Sequence, residues 1–215
     1  MPLNETKYGL ALHTSSPELG LSINNFAGKY RAETWEIGHD LSTLLHAILA
    51  DFIKPVTWQD LAFLAVAKGP GSFTGTRIGI VTARTLAQQL DIPLFAISTL
   101  AAIAHEQKLK NPAIPEDADI AVQMPAQRGQ IFTAIYKTSP KDGGIFTLLP
   151  DSLYTLEEWQ HILSNWPNPY HLIFAETNTG KSVISLLQLA YLNWQQGQTP
   201  TWAEALPFYG QHPVQ

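Results

Sequence analysis

Apolar residues recur along the chain with two different periods, which predicts a protein built from both strands and helices. Residues 61–67 ("LAFLAVA") form a continuous apolar run, which is typical of a strand buried on both faces. Residues 39–52 repeat apolar side chains every three or four positions instead, and this pattern predicts an amphipathic helix. The remaining predicted strands cover 8–16, 19–25, 29–37, 92–98, 119–124, 129–138, 144–155 and 170–176. The remaining predicted helices cover 75–90, 98–109, 156–166 and 181–194.

The order of the predicted elements repeats, although no repeat of individual residues is visible. A meander of three strands is followed by helices and strands in each half of the chain, and this mixture predicts α/β layers. Residues 110–118 ("KNPAIPEDA") contain two prolines and no periodicity, so they predict a linker. We therefore expect an N-terminal lobe at 1–109 and a C-terminal lobe at 119–215, with roughly the last ten residues free to return to the first lobe.

The composition argues against several classes of protein. The chain of 215 residues has no cysteine, so it can form neither disulfides nor thiolate metal sites. The first ten residues lack the basic region and apolar core of a signal peptide, and no apolar run reaches the ~18 residues of a membrane span. We therefore expect a cytoplasmic protein. Its net charge of −5 argues against direct binding to nucleic acid, which normally begins from a basic face.

A glycine-rich segment, residues 67–79 ("AKGPGSFTGTRIG"), joins a predicted strand to a predicted helix. Free backbone N–H groups at such a junction can bind a phosphate. Alternatively, the glycines allow two backbones to approach closely. Ser72 and Thr74 are predicted to cap the helix that follows, since "GSFTG" is not the nucleophile elbow of a hydrolase.

The helix after this segment carries small residues at every fourth position. They form a predicted ridge of Gly75, Gly79, Ala83 and Ala87. Another helix can pack closely on such a ridge, and the apolar stripe of residues 41–52 is its natural neighbour. The larger side chains of that stripe are Leu44, Leu45 and Ile48. Taken alone, the sequence favours a ridge packed inside its own lobe, and a surface that contacts a partner is the alternative.

Other candidate sites carry weaker signals. Residues 175–182 ("AETNTGKS") satisfy a relaxed phosphate-loop pattern between a strand and a helix, with Lys181 as its lysine. However, Glu176 would place a carboxylate near the phosphates, so a structural strand-to-helix turn is favoured. The seven histidines contain no H-x-x-x-H or H-E-x-x-H pair, which argues against a metal site.

Several stretches of the chain resemble one known family. Residues 69–79 ("GPGSFTGTRIG") closely resemble the signature of the TsaB (YeaZ) family. Weaker likeness extends through "HTSSPELGLSI", "GHDLSTLLHAILADF", "FAISTLAAIA" and the closing "LPFYGQ". The resemblance implies the two-lobed α/β fold of the actin, sugar-kinase and chaperone ATPase superfamily, with a mixed sheet and helices in each lobe. It also implies a non-catalytic subunit in the synthesis of N6-threonylcarbamoyladenosine at position 37 of tRNA.

The resemblance further implies partners and a binding surface. A TsaB-type subunit supports a catalytic TsaD-like subunit, with a TsaE-like ATPase in a larger complex, and pairing with a second copy is the other implied assembly. Contact with tRNA would be indirect, no cofactor is expected on this chain alone, and any ATP or ADP is expected at the partner interface. The signature loop comprises Gly69, Pro70, Gly71, Ser72, Phe73, Thr74, Gly75, Thr76 and Arg77. The implied partner interface comprises His39, Leu41, Leu44, Leu45, Ile48, Gly79, Ala83 and Ala87.

Two positions depart from the pattern of related kinases and ATPases, which carry acidic residues there to orient magnesium. They are His13 in "LHTSS" and Pro125 in "MPAQRGQIF". Neither residue offers the oxygen ligand that magnesium prefers. The main alternative, a small ATP-dependent enzyme of the same superfamily that acts through residues 69–79 and Lys181, therefore lacks its expected chemistry. A hydrolase or protease receives little support from the sequence.

Overall fold

The computed structural model describes residues 3–115, 117–139 and 143–210. The described strands are β1 (Tyr8–His13), β2 (Glu18–Asn24), β3 (Tyr30–Glu36), β4 (Leu61–Ala67), β5 (Leu94–Ile97), β6 (Asp119–Pro125), β7 (Gln130–Thr138), β8 (Ile145–Thr155) and β9 (Tyr170–Phe174). The described α-helices are α1 (Leu41–Phe52), α2 (Phe73–Leu90), α3 (Thr99–Lys110), α4 (Leu156–Ser164) and α5 (Val183–Gln195). Among the described residues, no helix is both long and apolar enough to cross a membrane.

Two mixed sheets form the framework, and each is built in the same order. The first sheet has the strand order β3-β2-β1-β4-β5, and the second has the order β8-β7-β6-β9. In both sheets three antiparallel strands form a meander, and a later strand runs parallel to the first strand of that meander. A helix lies in each parallel crossover, α1 before β4, α2 between β4 and β5, and α4 before β9. The repeated order of elements that the sequence predicted is therefore confirmed.

Helices α3 and α5 lie between the two sheets. Every residue of α3 from Thr99 to His105 is buried, so this part of the helix has no solvent-facing side. Its Leu100 and Ile103 belong to the core of the second sheet, whereas Ala102 belongs with Phe63 to the core of the first. Helix α5 comes late in the chain, yet it contacts β1, β2 and β4 of the first sheet. The two lobes therefore share these two helices.

Two connecting segments also join the lobes. The predicted linker at 110–118 connects α3 to β6, and Glu116 within it lies outside the described residues. Near the end of the chain, Phe208 N donates a hydrogen bond to Lys68 O at 2.7 Å, which ties this segment to the end of β4. Residues 211–215, including the last residue of the "LPFYGQ" stretch, lie outside the described residues.

The ridge of small residues on α2 faces the interior of the first lobe. A Cβ atom on Gly75 or Gly79 would lie less than 3 Å from Thr14, in the turn between β1 and β2. Ala83 and Ala87 are fully buried in the core of the first sheet. The ridge therefore packs inside its own lobe, with the β1–β2 turn and the core as its neighbours. This is what the residues alone favoured, whereas the family resemblance implied that the ridge contacts a partner.

Helix α1 does not present the face that the sequence predicted. Its buried stripe follows the helical period and comprises Leu41, Leu45, Leu49 and Phe52. Leu44 therefore turns toward solvent and is 38% exposed, so it is not one of the side chains that pack beneath α2. The implied partner interface is wrong for the residues that the core covers, because a partner cannot reach them in the folded chain. These residues are Leu41, Leu45, Gly79, Ala83 and Ala87.

Replacing Ala83 by Trp should destabilise the first lobe. Ala83 is fully buried, so the indole must displace packed side chains, at a cost of about 1–3 kcal/mol or more. Val81→Trp is the matched control, because Val81 is 63% exposed on the same helix. Urea unfolding should show a lower midpoint for Ala83→Trp and an unchanged midpoint for Val81→Trp. Equal midpoints would contradict the burial of the ridge.

Candidate functional site: the interlobe cleft and the α1–α2 groove

A cleft of about 750 Å³ opens between the two lobes. Four connections reach it, namely the β1–β2 turn, the glycine-rich loop after β4, the β6–β7 turn and the loop after β9. Because the two sheets repeat one strand order, these connections form two equivalent pairs, one pair from each lobe. The lining residues are Ser15, Pro17, Gly71, Ser72, Phe73, Thr74, Met124, Pro125, Ala126, Gln127, Arg128, Phe132, Thr177 and Tyr209.

The cleft offers hydroxyl, amide and guanidinium groups, and none of its described lining residues carries a carboxylate. The hydroxyls belong to Ser15, Ser72, Thr74, Thr177 and Tyr209, and Arg128 supplies a positive charge. Magnesium at a nucleotide is usually held by one or two carboxylates, so this donor set does not fit a magnesium–nucleotide site. In the described part of the chain, no group of three His, Asp or Glu side chains could hold a metal ion.

His13 and Pro125, the two positions that depart from the pattern implied by the resemblance, end β1 and β6. His13 is fully buried, and the loss of hydration lowers its pKa from 6.5 to about 4, so the imidazole is neutral at pH 7. Its Nε2 lies 3.4 Å from Thr179 Oγ1, and its Nδ1 has no hydrogen-bond partner among the described residues. Pro125 is exposed and has no side-chain donor or acceptor. These two side chains therefore cannot perform the role of carboxylates.

The glycines of the signature loop bring α2 against the β1–β2 turn. Gly71 has a φ of 153°, and a Cβ atom there would lie less than 3 Å from Ser15 O. Ser72 N donates to Ser15 O at 2.8 Å, and Thr14 Oγ1 donates to Gly75 O at 2.8 Å. Ser72 also caps α2, as predicted, because its Oγ accepts a hydrogen bond from Gly75 N at 3.2 Å. The structure thus confirms close backbone approach as a role of these glycines.

The loop after β9, residues 175–182, is held against β2 by a carboxylate of the same chain. Gly180 N donates to Glu18 Oε2 at 3.0 Å, and a phosphate loop would need such an amide for its ligand. A Cβ atom on Gly20 would lie less than 3 Å from Gly180 O. Lys181 is exposed. These contacts are those of a structural strand-to-helix turn, which is the interpretation that the sequence favoured.

A second candidate site is a groove of about 480 Å³ between α1 and α2. It is lined by Ser42, His46, Leu49, Trp58, Arg77, Ile78, Val81, Thr82, Thr85 and Leu86. Arg77, Val81 and Thr85 follow one another at intervals of four, so they expose the face of α2 opposite the buried ridge. The Arg77 guanidinium lies over the ring of Phe73, 5.3 Å from its centroid. An exposed groove with so many apolar side chains is a candidate surface for another protein.

The residues that the sequence assigned to the partner interface match this groove poorly. His39 and Leu44 are exposed and Ile48 is half-buried, but none of the three lines the groove. Sequence reasoning missed Val81, whose only signal is an apolar residue on the face of α2 away from the ridge. Thr74 is exposed inside the first turn of α2, so the prediction that it caps the helix is wrong.

A polar cluster that the sequence did not reveal joins the start of α3 to the second sheet. Ser98 Oγ donates to Asp151 Oδ1 at 2.7 Å, and Tyr136 OH donates to the same oxygen at 3.1 Å. Burial raises the pKa of Asp151 above its ordinary value, and burial beside this carboxylate raises the pKa of Tyr136 well above its own. Ser98, Tyr136 and Asp151 line a cavity of about 220 Å³. Lys68, which follows β4, lines this cavity as well. The cluster therefore fixes the lobes to each other.

Two lobes that repeat one strand order around a cleft place the chain in the predicted class of two-lobed, actin-like α/β folds. YeaZ from Pseudomonas aeruginosa has this fold as well, with a TM-score of 0.75 and 20% identity over 94% of this chain and 99% of that one. The tRNA threonylcarbamoyladenosine biosynthesis protein TsaB of Bacillus subtilis is 35% identical over 180 residues, which cover 81% of this chain and 74% of that protein. TsaB of Escherichia coli is 37% identical over 78 residues, 36% of this chain and 32% of that protein. The chain belongs to the TsaB family.

A second family also matches part of the chain. The profile described as "TsaD: tRNA N6-adenosine threonylcarbamoyltransferase" matches residues 39–145. This range contains both α1 and α2, together with the signature loop between β4 and α2. The match therefore covers the two helices that border the groove.

The folded chain should lose stability as the pH falls from 7 to 5, in large part through His13. Its folded pKa of about 4 lies below the ordinary 6.5, so the unfolded chain binds the proton more tightly. The stabilisation is present above pH 6.5 and is lost as the pH falls toward 4, by about 2 kcal/mol between pH 7 and pH 5. Urea unfolding at the two pH values should show this loss, and His13→Asn should reduce it by a similar amount.

His46→Asn is the control for replacing a histidine by asparagine, because His46 is exposed on α1. His105 is buried, and burial lowers its pKa as well, so some pH dependence should remain in His13→Asn. A wild-type pH dependence in His13→Asn would contradict the buried, neutral state of His13.

Proposed function

We propose that this chain is a non-catalytic subunit in the synthesis of N6-threonylcarbamoyladenosine at position 37 of tRNA, where it supports a TsaD-type transferase. Membership of the TsaB family supports the pathway, since its relatives in B. subtilis and E. coli are named for this biosynthesis. The observation that carries the supporting role is the exposed groove between α1 and α2. We propose that the TsaD-type partner binds there through a pair of helices.

The fold prepares this groove before any partner arrives. On one side, α1 is anchored by buried leucines such as Leu45 and Leu49. On the other side, the small residues of α2 hold that helix against the β1–β2 turn and the core, so that Val81 points outward. Because neither helix has to move to expose apolar surface, little conformational entropy is lost when a partner binds. A surface prepared in this way suits a supporting subunit.

The interlobe cleft favours a non-catalytic role. Its described lining has no carboxylate, and its two strand-to-helix loops use several of their amides for contacts within the chain. We therefore propose that the chain holds no cofactor alone and that any ATP or ADP binds at the partner interface. A net charge of −5 favours indirect contact with tRNA. A TsaE-like ATPase in a larger complex and a homodimer remain proposals that derive from the family resemblance.

Val81→Asp should abolish binding to the TsaD-type protein of the same organism while leaving the chain folded. Val81 is 63% exposed in the groove, so a carboxylate there should change the stability of the monomer little. In the complex the same carboxylate would be buried against apolar side chains at the proposed interface. Ile184→Asp is the matched control, because Ile184 is a 44% exposed β-branched residue on α5, away from the groove. Calorimetric titration should show binding for the control alone, and tRNA modification by the reconstituted system should fall with Val81→Asp. Wild-type affinity of Val81→Asp would contradict the proposed surface.

The isolated chain should not hydrolyse ATP, because no described carboxylate lines the cleft to bind magnesium. A steady-state phosphate-release assay with and without magnesium tests this expectation. Magnesium-dependent turnover that Lys181→Ala abolishes would favour the alternative, a small ATP-dependent enzyme. Lys137→Ala is the control for the lysine substitution, since Lys137 is an exposed residue of β7 outside the cleft lining.

A further inference from the structure

The groove between α1 and α2 carries one side chain with a permanent charge among its described lining residues, and that side chain is Arg77. Its guanidinium is exposed and lies over the ring of Phe73. In the described part of the chain, no carboxylate lies within ion-pair distance of it. A partner that covers the groove would take this charge out of water, and an unpaired buried charge is strongly destabilising. The occupant of the groove therefore has to bring a carboxylate.

The helices of a second copy are poorly suited to supply it. Helix α2 contains no acidic residue, and the one acidic residue of α1, Asp51, pairs with Lys54 at 3.1 Å. A two-fold dimer places the same surface on both sides of the contact. The groove residues of α2 run from Arg77 to Leu86. If the two copies of α2 packed antiparallel about a two-fold axis at the centre of this segment, Arg77 would lie opposite neutral side chains of the second copy. Self-association through this groove would therefore bury two unpaired guanidinium groups.

A TsaD-type chain can have the same helical framework with different side chains. The TsaD family profile matches residues 39–145, and this range contains α1 and α2. A partner with the corresponding pair of helices can therefore approach the groove in the manner of a second copy, while its own sequence supplies the acidic residue. Charge complementarity at such a contact determines which partner is chosen.

We propose that Arg77 selects a TsaD-type partner over a second copy by pairing with a carboxylate side chain on a partner helix. The inference rests on the proposed function, and it assigns to Arg77 a role beyond its contact with the ring of Phe73. The pair forms inside an apolar groove, so salt screens it less than an exposed ion pair. In a homodimer the same guanidinium would be buried without a carboxylate, and this cost opposes that assembly.

Three variants of Arg77 test the assignment against the TsaD-type protein of the same organism. Arg77→Met keeps an unbranched apolar side chain and removes the charge, so the Kd should rise by about tenfold or more. Arg77→Glu should weaken binding further, and Arg77→Lys should retain most of the affinity because it keeps the charge. Lys181→Met is the control for the loss of one positive charge, since Lys181 is exposed outside the groove. The affinity of the wild-type complex should also decrease with added salt more steeply than that of Arg77→Met.

Self-association provides the second measurement. Sedimentation of each variant alone should show that Arg77→Met self-associates at least as strongly as the wild-type chain, so the preference for the TsaD-type partner falls by about tenfold or more. A Kd of Arg77→Met within about twofold of the wild-type value would overturn the inference. If Val81→Asp still abolishes binding in that case, the proposed function stands and the role of Arg77 alone is wrong. If Val81→Asp also binds normally, the groove is not the interface and both proposals fail.

Discussion

The contact between the first turns of α2 and the turn that joins β1 to β2 determines most of what is distinctive in this molecule. Cβ atoms on Gly71, Gly75 and Gly79 would overlap atoms of Thr14 or Ser15, so these positions have to be glycine if the helix is to lie where it does. Hydrogen bonds between the two segments then fix the approach. At these glycines, the signature that marks the family therefore allows α2 to pack closely on the β1–β2 turn.

Because of this close approach, one face of α2 is buried and the opposite face is exposed to solvent. The face with the small residues is fully covered, and Ala83 and Ala87 continue it into the core. The opposite face is consequently turned to solvent over its length, where Arg77 and Val81 border the groove with α1. A larger residue at one of the ridge glycines would push α2 outward and alter the groove, although it would not touch the groove directly. The signature is thereby coupled to the proposed binding surface through α2.

The sequence predicted the order of elements better than it predicted their neighbours. Alternation and helical period depend on local pattern, so the two meanders and their crossover helices could be recognised. The placement of α3 and α5 between the sheets could not, because it depends on contacts between segments as distant as Phe63 and Val183. For the candidate site, the ridge was recognised from spacing, but a ridge of small residues is equally suited to a partner and to a core. Val81 and the hydrogen bonds of Asp151 are tertiary features without a local pattern.

The cleft follows from the strand order that the two lobes repeat. Each lobe directs one hairpin turn and one strand-to-helix loop toward the cleft, an arrangement that could hold an anion between backbone amides. In the first lobe the loop instead packs on Ser15, and in the second lobe the Glu18 carboxylate accepts from Gly180 N. His13, which is buried and neutral, ends β1 beside this second loop, with its Nε2 3.4 Å from Thr179 Oγ1. The contact between Gly180 and Glu18 also joins the loop after β9 to the first sheet. In our proposal the chain acts through the groove between α1 and α2, whereas the contacts around the cleft hold its two lobes together.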